Sequence, residues 1–507
     1  MRSSGILMHI TSLPGPYGVG TMGKQAYKFV DFLEKSGQSC WQILPLTPTG
    51  YGDSPYQSCS TFAGNHYLID LDTLVEDGLL TKADLTGIQW NTTEERADFG
   101  LLYKNRLKVL RLAFGRFVPD ENYRDFCTKN GSWLPDFALF MALKEKFNGK
   151  PWYDWDEPLK FRQADAIWQA RLEQKEEIAF FSFVQYLFFK QWNALHAYAN
   201  KHNVTIIGDV PIYVPLDSIE AWSNPELFQM DERLNPIAVA GCPPDAFTED
   251  GQLWGNPLYR WQAHAADGYS WWIRRLTAAG KLYDVVRMDH FRAFAGYWSV
   301  PFGDPTARGG KWITGPGIGF IEAVKKALPK LKLIAEDLGY LTQDVLDLRD
   351  ESGFPGMKVL QFAFDSREPS NYLPHTYTAC SVCYTGTHDN MTTRQWLETG
   401  TKEMREYATQ YMRLSAEEGP VWGVIRTAMS SVSDTCVTPL QDYLNLGAEA
   451  RMNFPGTTSS SNWTWRLKDG LLTDALAEKI RDLTVLYDRL GSQKPAMPAD
   501  NACPAGQ

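Results

Sequence analysis

Eight short apolar runs recur along this chain, separated by segments whose apolar residues follow a helical period. Gly5–Thr11 and Ser39–Leu46 are the first two runs. Between them, Lys24–Lys35 carries apolar residues at 26, 29, 30 and 33, so the start reads as a right-handed β-α-β unit. Six more runs follow: Val204–Pro211, Asp284–Met288, Lys332–Glu336, Met357–Phe362, Val382–Thr387 and Thr435–Leu440. Helical patterns such as Ile321–Leu328 and Gln343–Arg349 lie between them. Continuous apolar runs of this length predict strands buried on both faces. Eight of them in βα alternation predict the α/β class and a (β/α)8 TIM barrel.

Two long segments break the alternation, so the barrel is expected to carry helical and loop-rich insertions. Residues 1–69 read as its first part, ending in a Gly-, Pro-, Ser- and Tyr-rich loop over 48–66. Residues 70–203 show only helical periodicity, in Asp98–Phe114, Asp136–Phe147, Asp165–Gln174 and Glu176–Lys201, and are expected to form a helical subdomain. After the strand at 204–211, residues 212–282 are dense in Trp, Pro, Gly and Asn. They read as a substrate-binding insertion without secondary structure of its own. Residues 283–490 supply the rest of the barrel, and the Pro- and Ala-rich tail at 491–507 is expected to be disordered.

Composition narrows the function classes. A net charge of −10 argues against a nucleic-acid partner or an anionic membrane, because binding phosphate needs concentrated cations. No apolar run approaches the roughly 20 residues that span a bilayer. The eight cysteines are scattered; only Cys380-Ser-Val-Cys383 has redox or zinc spacing, and no second pair supports it. A reducing, cytoplasmic location is expected. Aromatic residues make up 13% of the chain, with 18 Trp, more than a core alone calls for, and sugar faces stack on aromatic rings.

Four of the predicted strands end in charge. Val-Thr-Ile-Ile-Gly-Asp ends in Asp209, and Val-Val-Arg-Met-Asp-His carries Arg287, Asp289 and His290. Leu-Ile-Ala-Glu-Asp ends in Glu336 and Asp337, and Tyr-Thr-Gly-Thr-His-Asp in His388 and Asp389. Each cluster taken singly reads as an ion pair, a helix N-cap or a core histidine. Together, at equivalent ends of four buried strands, they mark a catalytic face. Retaining cleavage of a glycosidic bond needs two carboxyl groups about 5–5.5 Å apart, one a nucleophile and the other an acid. Asp289 and Glu336 end the fourth and fifth strands, which are neighbours in a barrel. Arg287 lies two residues from Asp289, on the same side of the strand, and favours its charged form. Asp389, with His388, would serve as a third carboxylate binding sugar hydroxyls. Asp209 is balanced between a site role and a structural turn. No phosphate-binding glycine loop, nucleophile elbow or H-x-x-x-H metal pair is present.

Longer motifs surround these residues. They are Gly-Tyr-Gly-Asp-Ser-Pro-Tyr-Gln at 50–57, Gly-Asp-Val-Pro-Ile-Tyr-Val at 208–214 and Gly-Gln-Leu-Trp-Gly-Asn-Pro-Leu-Tyr at 251–259. Arg-Met-Asp-His-Phe-Arg at 287–292, Ala-Glu-Asp-Leu-Gly at 335–339, Thr-His-Asp-Asn at 387–390 and Arg-Met-Asn-Phe-Pro-Gly at 451–456 complete the set. In these motifs the chain resembles the 4-alpha-glucanotransferases, the amylomaltase or disproportionating-enzyme family of the alpha-amylase clan, from about Gly5 to Leu490. The resemblance implies Asp289 as nucleophile, Glu336 as acid/base and Asp389 as the carboxylate that steadies the transition state. It also implies Ser54, Tyr56, Asp209, Gln252, Trp254, Arg287, His290, His388 and Asn453 in a sugar cleft. Two positions depart from many members: Ala246 in the lid loop, where some carry an aromatic residue, and Ala293, where many carry Gly.

The expected reaction is transfer of an α-1,4-glucan segment to the 4-hydroxyl of an acceptor glucan or glucose, with no metal or organic cofactor. The partners implied are maltooligosaccharides, amylose, starch or glycogen. An alpha-amylase-type hydrolase with the same carboxylates is the nearest alternative, and a non-catalytic glucan-binding scaffold is the more distant one.

Overall fold

The eight apolar runs close into one parallel barrel. In the computed structural model, which describes residues 2–50, 52–244, 249–339, 341–364, 370–457 and 459–493, the strands follow chain order around the ring. They are Ser3–Leu7, Cys40–Gln42, Thr205–Val210, Val285–Met288, Lys332–Ala335, Gly356–Val359, Ser381–Tyr384 and Thr435–Pro439. The first strand pairs with the eighth from Ser3↔Thr435 to Leu7↔Pro439, which closes the ring. Arg489 sits fully buried over this seam. Its guanidinium donates to the carbonyl oxygens of Met429, Ser3 and Ser431, so one side chain ties both ends of the barrel together.

Several strands are shorter than the apolar runs that predict them. The first ends at Leu7, and the chain then turns through a 3-10 helix at Ile10–Ser12; the second covers only Cys40–Gln42. Ile43, Leu44 and Leu46 are nonetheless buried. Apolarity reports burial, not ladder hydrogen bonds, and here the chain crosses the barrel rim under cover of later segments.

The helical stretch holds Phe99–Arg116, Glu121–Lys129, Leu134–Lys146, Ala164–Glu173 and Lys175–Lys201. Asp98 caps the first by accepting from the Leu101 N–H at 3.0 Å. The 27-residue helix at Lys175–Lys201 is not a separate body. It leads into the third strand and packs on Lys24–Lys35, where Tyr198 donates to Asp31 at 2.6 Å and meets Tyr27 edge-on. It is the barrel's own outer helix, and the other helices of the stretch are built onto it.

Residues 212–282 do have secondary structure, contrary to the sequence reading. Ala238–Cys242 and Gln252–Pro257 join Gly296–Pro301 and Lys311–Thr314 in a four-stranded antiparallel sheet. The strand order is Gln252–Pro257, Ala238–Cys242, Gly296–Pro301, Lys311–Thr314. Helices Trp261–Ala266 and Ser270–Leu282 return the chain to the fourth barrel strand. The hairpin of Ala238–Cys242 with Gln252–Pro257 joins that of Gly296–Pro301 with Lys311–Thr314 only across the intervening helices and the fourth barrel strand. One face of the sheet joins the main core through Ala240 and Tyr297; the other carries a small cluster of Val239, Val300 and Ala307 with Trp298. Most of the expected tail, and the lid-loop position Ala246, lie outside the described residues. Ala293 falls in a 3-10 turn at Phe291–Phe294, an ordinary helical conformation that does not require glycine.

Gly208 shows how tightly the third strand is seated. A Cβ there would lie 2.1 Å from the ring of Tyr283, whose hydroxyl accepts from the Leu46 N–H at 3.1 Å. Gly208→Ala is expected to destabilise the protein by about 1–3 kcal/mol through overpacking. Denaturant unfolding checks this, and an unchanged midpoint would mean that the Tyr283 ring yields freely.

Candidate active site

A cleft of about 1530 Å³ opens at the C-terminal ends of the strands. Its centre follows from strand register. Arg287 pairs with Ile334 and Met288 with Ala335, so the next residues along the two strands are Asp289 and Glu336. The ladder continues past them: the Glu336 N–H donates to the Met288 carbonyl at 3.1 Å and the Phe291 N–H to that of Glu336 at 3.0 Å. Neighbouring strands run about 4.8 Å apart, so the two carboxylates are held side by side by backbone alone.

Their surroundings differ. Arg287, buried in the barrel mouth, bonds Asp289 Oδ1 at 2.9 Å and Asp209 Oδ2 at 2.5 Å through one nitrogen. Burial works against its charge, but Asp209 and Asp289 outweigh it and hold the guanidinium charged well beyond its ordinary range. Glu336 faces no cation directly. Burial pushes its carboxyl up to about 8; the Arg287 charge pulls against that and the Asp289 charge adds to it. Its bonds come from backbone instead, from the His290 N–H to Oε2 at 2.6 Å and the Leu338 N–H to Oε1 at 3.0 Å. His290 adopts a left-handed backbone, φ 49°, uncommon for a side chain of its size. It heads the 3-10 turn that follows Asp289, so the turn that ends the Asp289 strand also presents an N–H to Glu336. One carboxylate is thus paired with a permanent charge and its neighbour is biased toward carrying a proton.

Aromatic and polar groups wall this centre. The rings of Tyr56 and His388 stack at 5.2 Å and 13°, and Trp463 leans against both. His388 Nε2 lies 3.4 Å from Asp389 Oδ2, and burial holds the imidazole below its usual range. Asn453 donates to Asp389 Oδ1 at 2.7 Å. On the opposite side Trp254 meets the His290 ring edge-on at 4.8 Å and donates to Gln252 at 3.2 Å. Burial, with Arg292 nearby, pushes His290 down to about 3, so this imidazole is neutral at working pH.

Eleven of the residues singled out from the sequence line the cleft: Ser54, Tyr56, Gln252, Trp254, Arg287, Asp289, His290, Glu336, His388, Asp389 and Asn453. Asp209 does not. Its side chain is 1% exposed and lies under the cleft floor, where it accepts from Tyr56 Oη at 2.7 Å and from Arg287. Its place is to anchor Arg287 and Tyr56, and not to touch a ligand. Burial raises its pKa against the pull of Arg287. Asp337 is neither a site residue nor an N-cap. It turns away to pair with Arg349 at 2.8 Å and to accept from the Met357 N–H at 2.7 Å.

The sequence reading missed Trp463, Asp53 and Trp312, which also line the cleft. Trp463 stands alone among Ser, Thr and Asn between 457 and 464, a lone large apolar side chain in a polar loop and the one signal that was available. Among the described residues, no group of three or more His, Cys, Asp or Glu side chains is gathered to hold a metal ion.

Comparison with known proteins agrees with this geometry. A sequence model of a family described as 4-alpha-glucanotransferase matches residues 8–473. The chain is 50% identical to a 4-alpha-glucanotransferase of Clostridium butyricum, over 95% of this chain and all of that one. It is 46% identical to the Thermus thermophilus protein of the same name, over 96% and 99%. Among solved structures, the amylomaltase from Streptococcus agalactiae in complex with acarbose superposes with a TM-score of 0.94 at 43% identity, covering 96% of this chain and all of that one.

Removing the charge from Asp209 leaves Arg287 buried with a single carboxylate. Asp209→Asn is expected to cost up to about 3 kcal/mol of stability, the lower end for breaking a buried pair, because Asp289 remains. Thermal unfolding against wild type measures it, and a midpoint equal to wild type would show that the pair only offsets its own desolvation.

Proposed function

The chain belongs to the 4-alpha-glucanotransferase family, and we propose that Asp289 is the nucleophile and Glu336 the acid/base of its transfer reaction. The observation that carries this reading is the in-register placement of two carboxylates with opposite electrostatic settings. Asp289 Oδ attacks the anomeric carbon of an α-1,4-glucan while the bond to the leaving 4-oxygen breaks. Glu336 gives that oxygen its proton, and the shortened glucan departs. The 4-hydroxyl of an acceptor glucan or glucose then attacks the glucosyl ester. Glu336, now a carboxylate, takes the hydroxyl proton, Asp289 is released, and two inversions restore the α configuration.

Arg287 holds Asp289 in place for attack through the ion pair at 2.9 Å, and Asp209 keeps Arg287 in place. Asp389, oriented by Asn453 and His388, binds sugar hydroxyls beside the reacting carbon, where positive charge develops. Tyr56 and Trp463 offer ring faces to the sugar, and Ser54, Gln252 and His290 its polar contacts. Trp254 shields the ester from water, so that an acceptor held in place by the cleft competes despite the excess of solvent. A hydrolase would use the same two carboxylates, but the full-length family match does not favour it. All seven described cysteines are free thiols, which suits a reducing cytoplasm. No described helix is long and apolar enough to cross a membrane.

Incubation with maltotriose tests the assignment: glucose together with a ladder of longer maltodextrins is expected from wild type, and neither from Asp289→Asn. Shorter sugars without the ladder would indicate hydrolysis, and an active Asp289→Asn would move the nucleophile elsewhere.

Acid catalysis requires Glu336 to carry its proton in the free enzyme. Because burial raises this carboxyl to about 8, kcat/KM is expected to hold through neutral pH and to fall as pH rises through that value. In Glu336→Gln, assayed on an activated aryl glucoside that needs little protonation, the alkaline fall should be absent. Its persistence there would assign the limb to another group.

A further inference from the structure

We propose that Trp312 forms a distal glucan subsite, a ring platform that holds sugar units beyond those at the carboxylates and so sets a preference for longer chains. The proposal rests on the transfer reaction assigned above. Trp312 lies on the edge strand Lys311–Thr314 of the side sheet and lines the cleft. At 44% exposure it is among the more open large apolar side chains of the protein. An exposed Trp on an edge strand is costly unless something covers it.

The ring is not loose. Strand pairing sets Trp312 opposite Trp298, whose indole meets it edge-on at 5.2 Å and 68°. The Trp298 N–H is fixed in turn by the Ala307 carbonyl at 2.9 Å, and Gly310 leaves the room its ring needs. The Arg292 guanidinium lies 4.0 Å over the Trp312 ring. Arg292 follows Asp289 by three residues, so the platform is tied to the strand that carries the nucleophile. Arg292 and Trp298 hold the ring from two sides, and its exposed part opens into the cleft. A rigid, half-open aromatic face in a sugar cleft is suited to stacking on the apolar face of a pyranose.

Its place in the sheet separates it from the reacting sugar. The strands of Trp254 and Trp312 are the two edges of the four-stranded sheet. Three strand spacings, about 14 Å, lie between their backbones, and the register puts the two side chains on opposite faces of the sheet, so they serve different sugar units. A maltotriose spanning the reacting centre would leave Trp312 uncovered, and a longer maltodextrin would reach it.

The test compares the full-length enzyme with Trp312→Ala and Trp312→Tyr on maltotriose, maltopentaose and maltoheptaose. In Trp312→Ala, kcat/KM is expected to fall about tenfold on maltoheptaose, mainly through KM, and to stay within about twofold of wild type on maltotriose. Trp312→Tyr, which keeps a ring, should retain most of the wild-type length dependence. Equal losses at every length, or none at any, would overturn the subsite. If Trp312→Ala unfolds early in a thermal melt, Trp312→Leu, bulky but without a ring face, replaces it under the same criteria. A wild-type enzyme that elongates none of these sugars would instead overturn the transferase reading beneath the proposal.

Discussion

The site depends on one buried cation. Arg287 is seated where the third and fourth strands emerge, and a single guanidinium nitrogen serves a carboxylate from each. Neither Asp209 nor Arg287 could be buried there alone, since an uncompensated charge in the barrel mouth would cost several kcal/mol. Paired, they become a fixed positive charge under the floor of the cleft. Asp289 leans on that charge. Tyr56 is tethered to the same assembly through Asp209, and its ring in turn orders His388. The difference between Asp289 and Glu336, neighbours on parallel strands, is therefore imposed from below: one receives the guanidinium, the other only backbone N–H groups and burial.

That centre was legible because it is written along strands. Buried apolar runs ending in charge are a local pattern, and the barrel converts equal positions on successive strands into neighbours in space. Asp289, Glu336, Asp389 and Arg287 could be singled out for this reason. Asp209 stands at an equivalent strand end, yet it faces down into the pair with Arg287. Sequence spacing gives the strand end but not the direction of the last side chain. Trp463 and Trp312 were missed for a different reason. Each reaches the cleft from a loop or an edge strand whose position depends on contacts between distant segments.

The side sheet shows the same limit in secondary structure. Its strands are short and hold Gly241, Gly255 and Pro257, and its two hairpins join each other only across the fourth barrel strand. The helical period of Ser270–Leu282, which buries Trp271, Trp272, Leu276, Ala279 and Leu282, was nonetheless a signal that the reading of 212–282 as loop passed over. Once assembled, this sheet brings Trp254 against His290 and Trp312 against Arg292, so both aromatic rings are anchored to the turn after Asp289.

The seam between the first and last strands has a consequence for biosynthesis. Ser3 and Thr435 touch across 432 residues of chain. At roughly 5–20 residues per second, a ribosome needs roughly 20–90 s to deliver the eighth strand after the first has been made. For that interval both edges of the nascent sheet stay unpaired, and contacts of such high order are slow to form even in the finished chain. The enzyme therefore passes through a lengthy open-edged stage during synthesis, in which protection from aggregation has to come from chaperones or from the helices already folded over the growing sheet. The clasp by Arg489 completes the ring only after the eighth strand and the helices that follow it have been made.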